Sequence, residues 1–300
     1  MKKISIGSWA YVFGPYASQP VPLDTVIKEV GKLGYDGISL GGFKPHAHFE
    51  LYPTKEKQEA LVELISSNHL EAVEYSPDVN VYSPITEQSD YLKLYEKFII
   101  FMEQCKFPIV RLDSGIAPII PAGLGYDECM SRLVKAFRSA AEIAADHGIN
   151  VVWEFEPGFI FNKPSEVVEV TERVGHDNFS VLFDSCHAYM EAVMGSRQIG
   201  QKETLSGGVL EFIHMLSGKI GLVHLIDSDG TLHDNDTSTH RPFGEGAINF
   251  DEIIPALLGD GKYQENWWIV DLCFWPDAWN VTSDCKKFVD SLNKKYCAEE

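Results

Sequence analysis

The chain has 300 residues, 45% of them hydrophobic, and a formal net charge of −19. This composition suits a globular protein with a sizeable core. The acidic balance argues against a nucleic-acid binder, because phosphate contacts need clustered Lys and Arg. The sequence shows no bilayer-spanning run and no apolar export signal in MKKISIGSWAYVFG. Since the six cysteines lack CxxC spacing, we expect reduced thiols and a cytoplasmic location.

Short apolar runs alternate with longer amphipathic segments along the chain. Eight strand-like runs, each followed by a helix-like segment, are typical of an α/β protein with the (β/α)8 TIM barrel fold. A doubly wound sheet would need a phosphate-cradling glycine loop after its first strand, and GSWAYVFGPY is not one. No linker divides the chain, so we predict a single domain over residues 1–300. The predicted strands are 4–9, 36–41, 71–76, 108–113, 149–156, 179–184, 220–227 and 267–273, and the predicted helices are 23–33, 54–68, 88–105, 126–147, 164–175, 203–217, 250–258 and 281–294.

The fifth predicted strand carries two carboxylates, Glu154 and Glu156, which point to the same side because side chains alternate along a strand. An ionised carboxylate in a dry interior is costly unless it is paired or bound to a metal. Active sites of TIM barrels lie at the carboxyl ends of the strands. Asp184, His224 and Asp271 lie at or near the ends of three other predicted strands. Together with Glu156 they predict a site for one divalent cation.

Oxygen-rich ligation with one imidazole suits Mn²⁺, which we expect, with Mg²⁺, Co²⁺ and Zn²⁺ as alternatives. Each ligand candidate also has a structural interpretation. Asp184 precedes Ser and can cap the next helix, and His224 can be a hydrogen-bonded core imidazole. Glu154 can support a metal ligand, or it can pair with Arg111, which should also face the barrel interior.

Five motifs resemble those of the sugar phosphate isomerase/epimerase family, the xylose isomerase-like TIM barrels. The similarity covers nearly the whole chain, and the order and spacing of the motifs carry it. The motifs are EPG at 156–158, FDSCH at 183–187, LVHLIDSDG at 222–230, HRPFGEGAINF at 240–250 and WWIVDLCF at 267–274.

This resemblance implies a metal site at Glu156, Asp184, His224 and Asp271. It implies substrate-binding roles for His187 and Arg241. It also implies that Glu156 and Asp271 move protons as acid and base, through an enolate or enediolate next to a sugar carbonyl. Asp271 replaces the Glu that is usual in the family. Because the side chain is one methylene shorter, it stays open whether Asp271 reaches a substrate proton.

The loop after the second predicted strand, GGFKPHAHFELYP at 41–53, should lie at the active-site rim. We expect His46 or His48 to assist catalysis, and the alternative is an ordinary polar loop. Several aromatic residues near the same rim suggest platforms for a sugar ring or an aromatic aglycone. The predicted substrate contacts besides His187 and Arg241 are Lys44, Trp9, Arg111 and Trp275.

The aromatic mouth and the GGFKPHAH loop look like those of the catalytic subunit of bacterial C-glycoside deglycosidases. That finer resemblance implies C-deglycosylation, a β-elimination from 3-keto C-glycosides of plant polyphenols, and a small β-sandwich partner subunit; a homo-oligomer is the alternative assembly. The competing function is an isomerase or epimerase of a free keto sugar. An apurinic endonuclease-like enzyme fits the net charge poorly. A non-catalytic sugar-binding subunit fits the intact ligand set poorly.

Overall fold

The computed structural model describes residues 1–298, in which strands and helices alternate along the chain. The strands are β1 (Lys3–Ile6), β2 (Gly37–Gly42), β3 (Glu71–Pro77), β4 (Ile109–Leu112), β5 (Asn150–Glu154), β6 (Phe179–Asp184), β7 (Ile220–Leu225), β8 (Asp227–His233), β9 (Thr237–Arg241) and β10 (Trp267–Val270). The α-helices are α1 (Leu23–Lys32), α2 (Lys55–Ser67), α3 (Gln88–Cys105), α4 (Tyr126–Asp146), α5 (Pro164–Val174), α6 (Ser185–Tyr189), α7 (Gly208–Met215), α8 (Phe250–Leu258) and α9 (Ala278–Tyr296).

Eight of the strands form one parallel sheet in the order β1-β10-β7-β6-β5-β4-β3-β2. A backbone bridge between Gly7, which follows β1, and Ser39 of β2 closes the sheet into a ring. Helices lie between successive strands, as parallel connections require. The predicted (β/α)8 TIM barrel is therefore confirmed.

The helices bury one face against the outside of the barrel. Helix α5 shows how the sequence sets such an element: it starts at Pro164, whose fixed φ suits a first helical turn, and ends before Gly175, which has a φ of 51°. Its buried side chains include Val167, Val170 and Val174, at the three- and four-residue spacing of an amphipathic helix.

The inside of the barrel is filled by a separate layer of buried apolar side chains, one from each of six strands. Because strand side chains alternate, a residue two positions further along points inward again, one layer nearer to the carboxyl ends. This layer therefore forms the floor beneath the active-site end. Its members are Val73, Ile109, Val152, Leu182, Leu222 and Ile269.

A hairpin of β8 and β9 follows β7 and was not predicted from the sequence. The Asp227 carboxylate accepts hydrogen bonds from the backbone N–H groups of Gly244, Gly246 and Ile248, which ties the hairpin to the loop behind it. The predicted strand 220–227 is interrupted at Ile226. Its first part is β7, and its last residue, Asp227, begins β8. The hairpin brings His233, on β8, to the active-site end of the barrel.

Several element ends differ from the prediction. Strand β5 ends at Glu154, so Glu156 lies in the following loop, and β10 ends at Val270, just before Asp271. The predicted first strand is shorter, because the chain turns into a 3₁₀ helix at Ser8–Tyr11. None of the helices within residues 1–298 combines the length and the apolar character needed to cross a bilayer.

Candidate active site

Four acidic and imidazole side chains converge at the carboxyl end of the barrel. Glu154, Asp184, His224 and Asp271 each offer one ligand atom, and these atoms lie within 4.8 Å of one another. All four side chains are buried. They come from β5, β6 and β7 and from the residue after β10, so four distant parts of the chain form one group. We call these four residues the metal group.

The structure places Glu154, and not the predicted Glu156, in the metal group. Glu154 lies two residues beyond Val152 of the floor layer, as Asp184 lies two beyond Leu182. The same step leads from Leu222 to His224 and from Ile269 to Asp271. Glu156 lies one layer further out and is not among the four residues whose ligand atoms converge.

The metal group fits a divalent cation. Oδ2 of Asp184 and Nδ1 of His224 have no hydrogen-bond partner within residues 1–298, and neither has Oε1 of Glu154, whose other oxygen is paired with Arg111. Buried ionisable atoms without partners are costly, and a cation satisfies several of them at once. Burial works to lower the pKa of His224, but Glu74 and Glu154 raise it well above its usual value, so the surroundings attract positive charge. Three carboxylates and one imidazole suit Mn²⁺, Mg²⁺, Co²⁺ or Zn²⁺.

Arg111 shares the layer of the metal group, two residues beyond Ile109 of the floor. Its guanidinium forms a salt bridge with Glu154 and lies 5.5 Å from the ring centre of Trp9. Burial acts to raise the pKa of Glu154, but Arg111 and His224 outweigh it and bring the value to about 2. The anticipated pairing is present, and it keeps Glu154 ionised.

Contacts behind the metal group fix its side chains. Nε2 of His224 donates to Glu74, whose Oε2 lies 2.9 Å away, so Nδ1 is the ring atom that faces the carboxylates. Asp271 Oδ1 accepts from Trp9 Nε1 at 3.0 Å and from the backbone N–H of Cys273 at 2.8 Å. Asp184 also caps α6, since its Oδ1 accepts from the His187 backbone N–H at 2.9 Å. The capping interpretation of Asp184 and the ligand interpretation are therefore compatible, because the cap uses only Oδ1.

A cavity of about 370 Å³ opens above the metal group. Glu156 and His187 face it, and Oε2 of Glu156 lies 3.6 Å from Nε2 of His187. The Thr237 hydroxyl, from the hairpin, donates to Glu156. Burial raises the pKa of Glu156 to about 8, and burial lowers the pKa of His187 to about 3. At neutral pH the cavity therefore holds a protonated carboxyl beside a neutral imidazole.

A sequence model of the family "Xylose isomerase-like TIM barrel" matches residues 27–283 of the chain. The chain belongs to the xylose isomerase-like TIM barrel family. The match runs from within α1 to the first turns of α9 and includes all four residues of the metal group.

Relatives of this xylose isomerase-like barrel include sugar epimerases and isomerases. It is 22% identical to fructoselysine 3-epimerase of Escherichia coli O157:H7 over 255 residues, which cover 81% of this chain and 83% of the relative. It is 23% identical to inosose isomerase of Bacillus velezensis over 227 residues, 71% of this chain and 73% of the relative.

Solved structures share the fold. A D-psicose 3-epimerase determined in the presence of D-fructose superposes with a TM-score of 0.73 at 16% identity, covering 98% of this chain and 99% of the other. A 3-keto-D-glucoside 4-epimerase from E. coli gives a TM-score of 0.70 at 14% identity, with 97% and 100% covered. A protein named IOLI, solved with a zinc atom, gives 0.71 at 18% identity, with 98% and 99% covered.

In this xylose isomerase-like barrel the predicted rim loop does not bring His46 or His48 to the cavity. His46 is buried, and its Nε2 lies 2.8 Å from the Val21 carbonyl oxygen. His48 caps a 3₁₀ turn by accepting the Glu50 backbone N–H at 3.2 Å. Lys44 is exposed and pairs with Glu50. A backbone group contacts one ring nitrogen of each imidazole, and none of the three residues lines the cavity, so the geometry does not support their predicted catalytic and substrate roles.

The remaining predicted substrate contacts divide into two sets. Trp9, Arg111 and His187 line the cavity. Arg241 does not, because its Nε donates to Asp229 at 2.7 Å and its guanidinium stacks 5.2 Å from the ring centre of Trp275. Arg241 is the last residue of β9, and Trp275 borders a smaller adjoining cavity.

An aromatic wall, defined as Phe13, Phe43, Phe274 and His233, borders the cavity mouth. The rings of Phe13 and Phe43 meet at 4.7 Å, and Phe274 stacks on His233 at 4.7 Å. Phe274 adopts a φ of 62°, a left-handed conformation that is uncommon for an aromatic residue and often marks a functional position.

Two residues at this site were missed by sequence reasoning. Glu74 is a charge within the apolar strand EAVEYS, and the argument applied to Glu154 would have identified it. Strand β3 has a register shift against β2, which allows both Val73 and Glu74 to reach the barrel interior. His240 opens the motif HRPFGEGAINF but was not singled out, because it lies on the unpredicted hairpin.

Proposed function

We propose that this protein is a divalent-metal-dependent epimerase or isomerase of a keto sugar. Support comes from one observation above all: two carboxyl groups that line the same cavity have pKa values moved in opposite directions. Burial raises the pKa of Glu156 to about 8. Burial also acts on Asp271, but His240 and His224 outweigh it and lower its pKa. One protonated and one ionised carboxyl is the arrangement that acid–base chemistry on a sugar requires.

A divalent cation held by Glu154, Asp184, His224 and Asp271 would supply positive charge that polarises a sugar carbonyl and acidifies the neighbouring C–H. Asp271 takes the proton from that carbon. Glu156 returns its own proton to the opposite face, which inverts the centre. Alternatively it protonates the former carbonyl carbon while the hydroxyl proton of the neighbouring carbon moves to the former carbonyl oxygen, and together these transfers move the carbonyl. Proton exchange with solvent then restores both carboxyls.

Two features of the cavity support an uncharged sugar. Its volume of about 370 Å³ lies in the range of small-molecule sites. Among its lining residues Arg111 is the permanently charged cation, and Glu154 already neutralises it. A phosphate or a nucleic acid would therefore meet an acidic mouth that includes Asp113 and Asp234, which counts against the endonuclease alternative.

C-deglycosylation of a 3-keto C-glycoside is the second candidate function, and the aromatic wall favours it. Phe13, Phe43 and Phe274 provide flat apolar surface at the mouth, where an aglycone attached to a sugar in the cavity would lie. The same acid–base groups would then expel the aglycone by β-elimination. The small β-sandwich partner subunit belongs to this candidate and stays a prediction.

The deciding experiment supplies the Mn²⁺-loaded protein with D-fructose, D-psicose, D-tagatose and a 3-keto C-glucoside in D₂O. An epimerase or isomerase converts a free ketose and introduces deuterium at the carbon that exchanges its proton. Release of the aglycone from the glucoside without ketose turnover would replace the first candidate by the second. Binding of sugars with no exchange in any of them would favour the non-catalytic alternative.

A further inference from the structure

His240 is a buried imidazole at the cavity with no role in the metal group. It lies on β9, paired in register with Ser228 of β8, and only 3% of its surface is exposed. Neither Nδ1 nor Nε2 has a hydrogen-bond partner within residues 1–298. Burying an imidazole without hydrogen-bond partners is costly, so a ligand in the cavity that bonds to its nitrogens would be favoured.

The other two imidazoles beside the cavity floor differ from His240 in this respect. His187 is fixed by the Ser238 hydroxyl, 2.8 Å from its Nδ1, and Nε2 of His224 donates to Glu74. Nδ1 of His240 lies 3.7 Å from Oδ1 of Asp271, which is too far for a hydrogen bond. That oxygen already accepts two hydrogen bonds, from Trp9 and Cys273.

The ring of His240 lies where a sugar in the cavity would reach it. Its centroid is 5.0 Å from that of His187, and it lines the cavity together with Glu156 and Asp271. A neutral imidazole offers one N–H donor and one acceptor nitrogen. A sugar hydroxyl, which both donates and accepts, matches that pair of atoms.

We propose that His240 is a substrate-binding residue that forms a hydrogen bond with a sugar hydroxyl next to the metal group. This inference rests on the proposed function and adds a specific contact to it. The competing possibility is that His240 is itself a metal ligand, since one of its ring nitrogens lies within 4.8 Å of ligand atoms of Asp184 and Cys186. The two possibilities predict different effects on metal affinity.

The test uses His240→Gln and His240→Ala, with His147→Gln as the control. His147 follows the last residue of α4, pairs with Glu103 of α3 and lies outside the cavity. Isothermal titration calorimetry gives the affinity for Mn²⁺ and, on the Mn²⁺-loaded proteins, the affinity for D-psicose, D-fructose and D-tagatose. Steady-state rates give KM and kcat. Circular dichroism melting of both variants shows whether each is folded.

We expect unchanged Mn²⁺ affinity and a Kd and KM for sugar about three- to tenfold higher, the usual cost of one neutral hydrogen bond, with Ala at least as impaired as Gln. Unchanged sugar Kd and KM in both variants would overturn the proposal. Weaker Mn²⁺ binding with unaltered sugar affinity would make His240 a metal ligand instead. If wild-type protein binds and converts none of the three sugars, the proposed function fails, and sugar is ruled out as the partner of His240.

Discussion

Nε2 of His224 lies 2.9 Å from Oε2 of Glu74, while Nδ1 of the same ring lies 3.0 Å from Oε1 of Glu154. A carboxylate can only accept a hydrogen bond, so Glu74 fixes a proton on Nε2. This leaves Nδ1 to face the metal group with its lone pair once a cation is present. Both side chains are fully buried, and water cannot take over the role of Glu74.

Replacing Glu74 should therefore weaken metal binding without touching a ligand. We expect Glu74→Ala to reduce Mn²⁺ affinity about 10–100-fold, the usual effect of losing such a supporting partner. Glu74→Gln should lose less, because its amide oxygen still accepts from Nε2. Calorimetric titration with Mn²⁺ measures both. Glu71→Gln is the matched control, since Glu71 lies on the same strand but is exposed. Equal affinities for Glu74→Ala and wild type would contradict the assignment.

The two glutamates of WEFEPG should respond differently to the same substitution. Glu154→Gln removes a member of the metal group, so we expect Mn²⁺ affinity to fall more than in the Glu74 variants. Glu156→Gln should bind Mn²⁺ like wild type but lose about 10²–10⁴-fold in turnover, the range for a proton-transfer group. Elemental analysis after dialysis and initial rates with free ketoses separate the two. The reverse pattern would restore Glu156 as the ligand.

The sequence predicted the barrel because alternation of apolar runs and amphipathic segments is a long-range pattern that single residues hardly disturb. It also singled out Asp184, His224 and Asp271, whose ligand atoms converge in the structure. The sequence could not show whether Glu154 or Glu156 joins them, because both have the same inward phase and only the level of the floor layer distinguishes them. The level of a residue along the barrel axis depends on the stagger between neighbouring strands. The structure shows this stagger by placing Val152 and Leu182 in one layer, and the sequence alone does not give it.

His240 illustrates a different limit. The segment TSTHR pairs with β8, and no local signal places this hairpin at the barrel mouth. His46 shows the opposite case. Its sequence neighbours suggest a functional loop, but in the structure its ring contacts the backbone carbonyl of Val21. Composition marks where function is common, but the contacts of each side chain decide which residues take part.

Glu191 should make stability depend on pH. It is fully buried in the π-helical turn Met190–Met194, and its Oε2 accepts from Gln198 Nε2 at 3.3 Å, while Oε1 has no partner within residues 1–298. Burial raises its pKa well above the usual value. The folded protein then holds this proton more tightly than the unfolded chain, in which Glu titrates near about pH 4.3. Its contribution to the free energy of unfolding therefore falls as pH rises from there through the folded pKa.

Glu191→Gln removes the charge but keeps the shape of the side chain. We expect the variant to be more stable than wild type at alkaline pH, with the difference shrinking as the pH falls toward about 4. Urea unfolding at several pH values measures this difference. Glu142→Gln, at an exposed position on α4, should follow the wild-type profile. A constant difference between Glu191→Gln and wild type at all pH values would show that the buried carboxyl is not the titrating group.

Arg111 should affect stability and metal binding in opposite directions. Its guanidinium pairs with Glu154 inside the layer of the metal group, so it neutralises part of the charge that a cation would also neutralise. Arg111→Met removes the salt-bridge partner of a buried carboxylate and leaves only His224 beside it, which costs up to about 3–5 kcal/mol in the metal-free protein. Added Mn²⁺ should restore part of that loss, because a cation bound to the folded state stabilises it. We therefore expect a lower melting temperature without metal and a larger rise with Mn²⁺ than in wild type.

Two control variants accompany this prediction. Arg111→Lys keeps the charge and should lie between wild type and Arg111→Met. Arg173→Met breaks a surface pair with Glu169 and should change neither the melting temperature nor its rise with Mn²⁺ appreciably. An Mn²⁺-induced rise equal to that of wild type in Arg111→Met would show that the guanidinium and the cation do not share one electrostatic site.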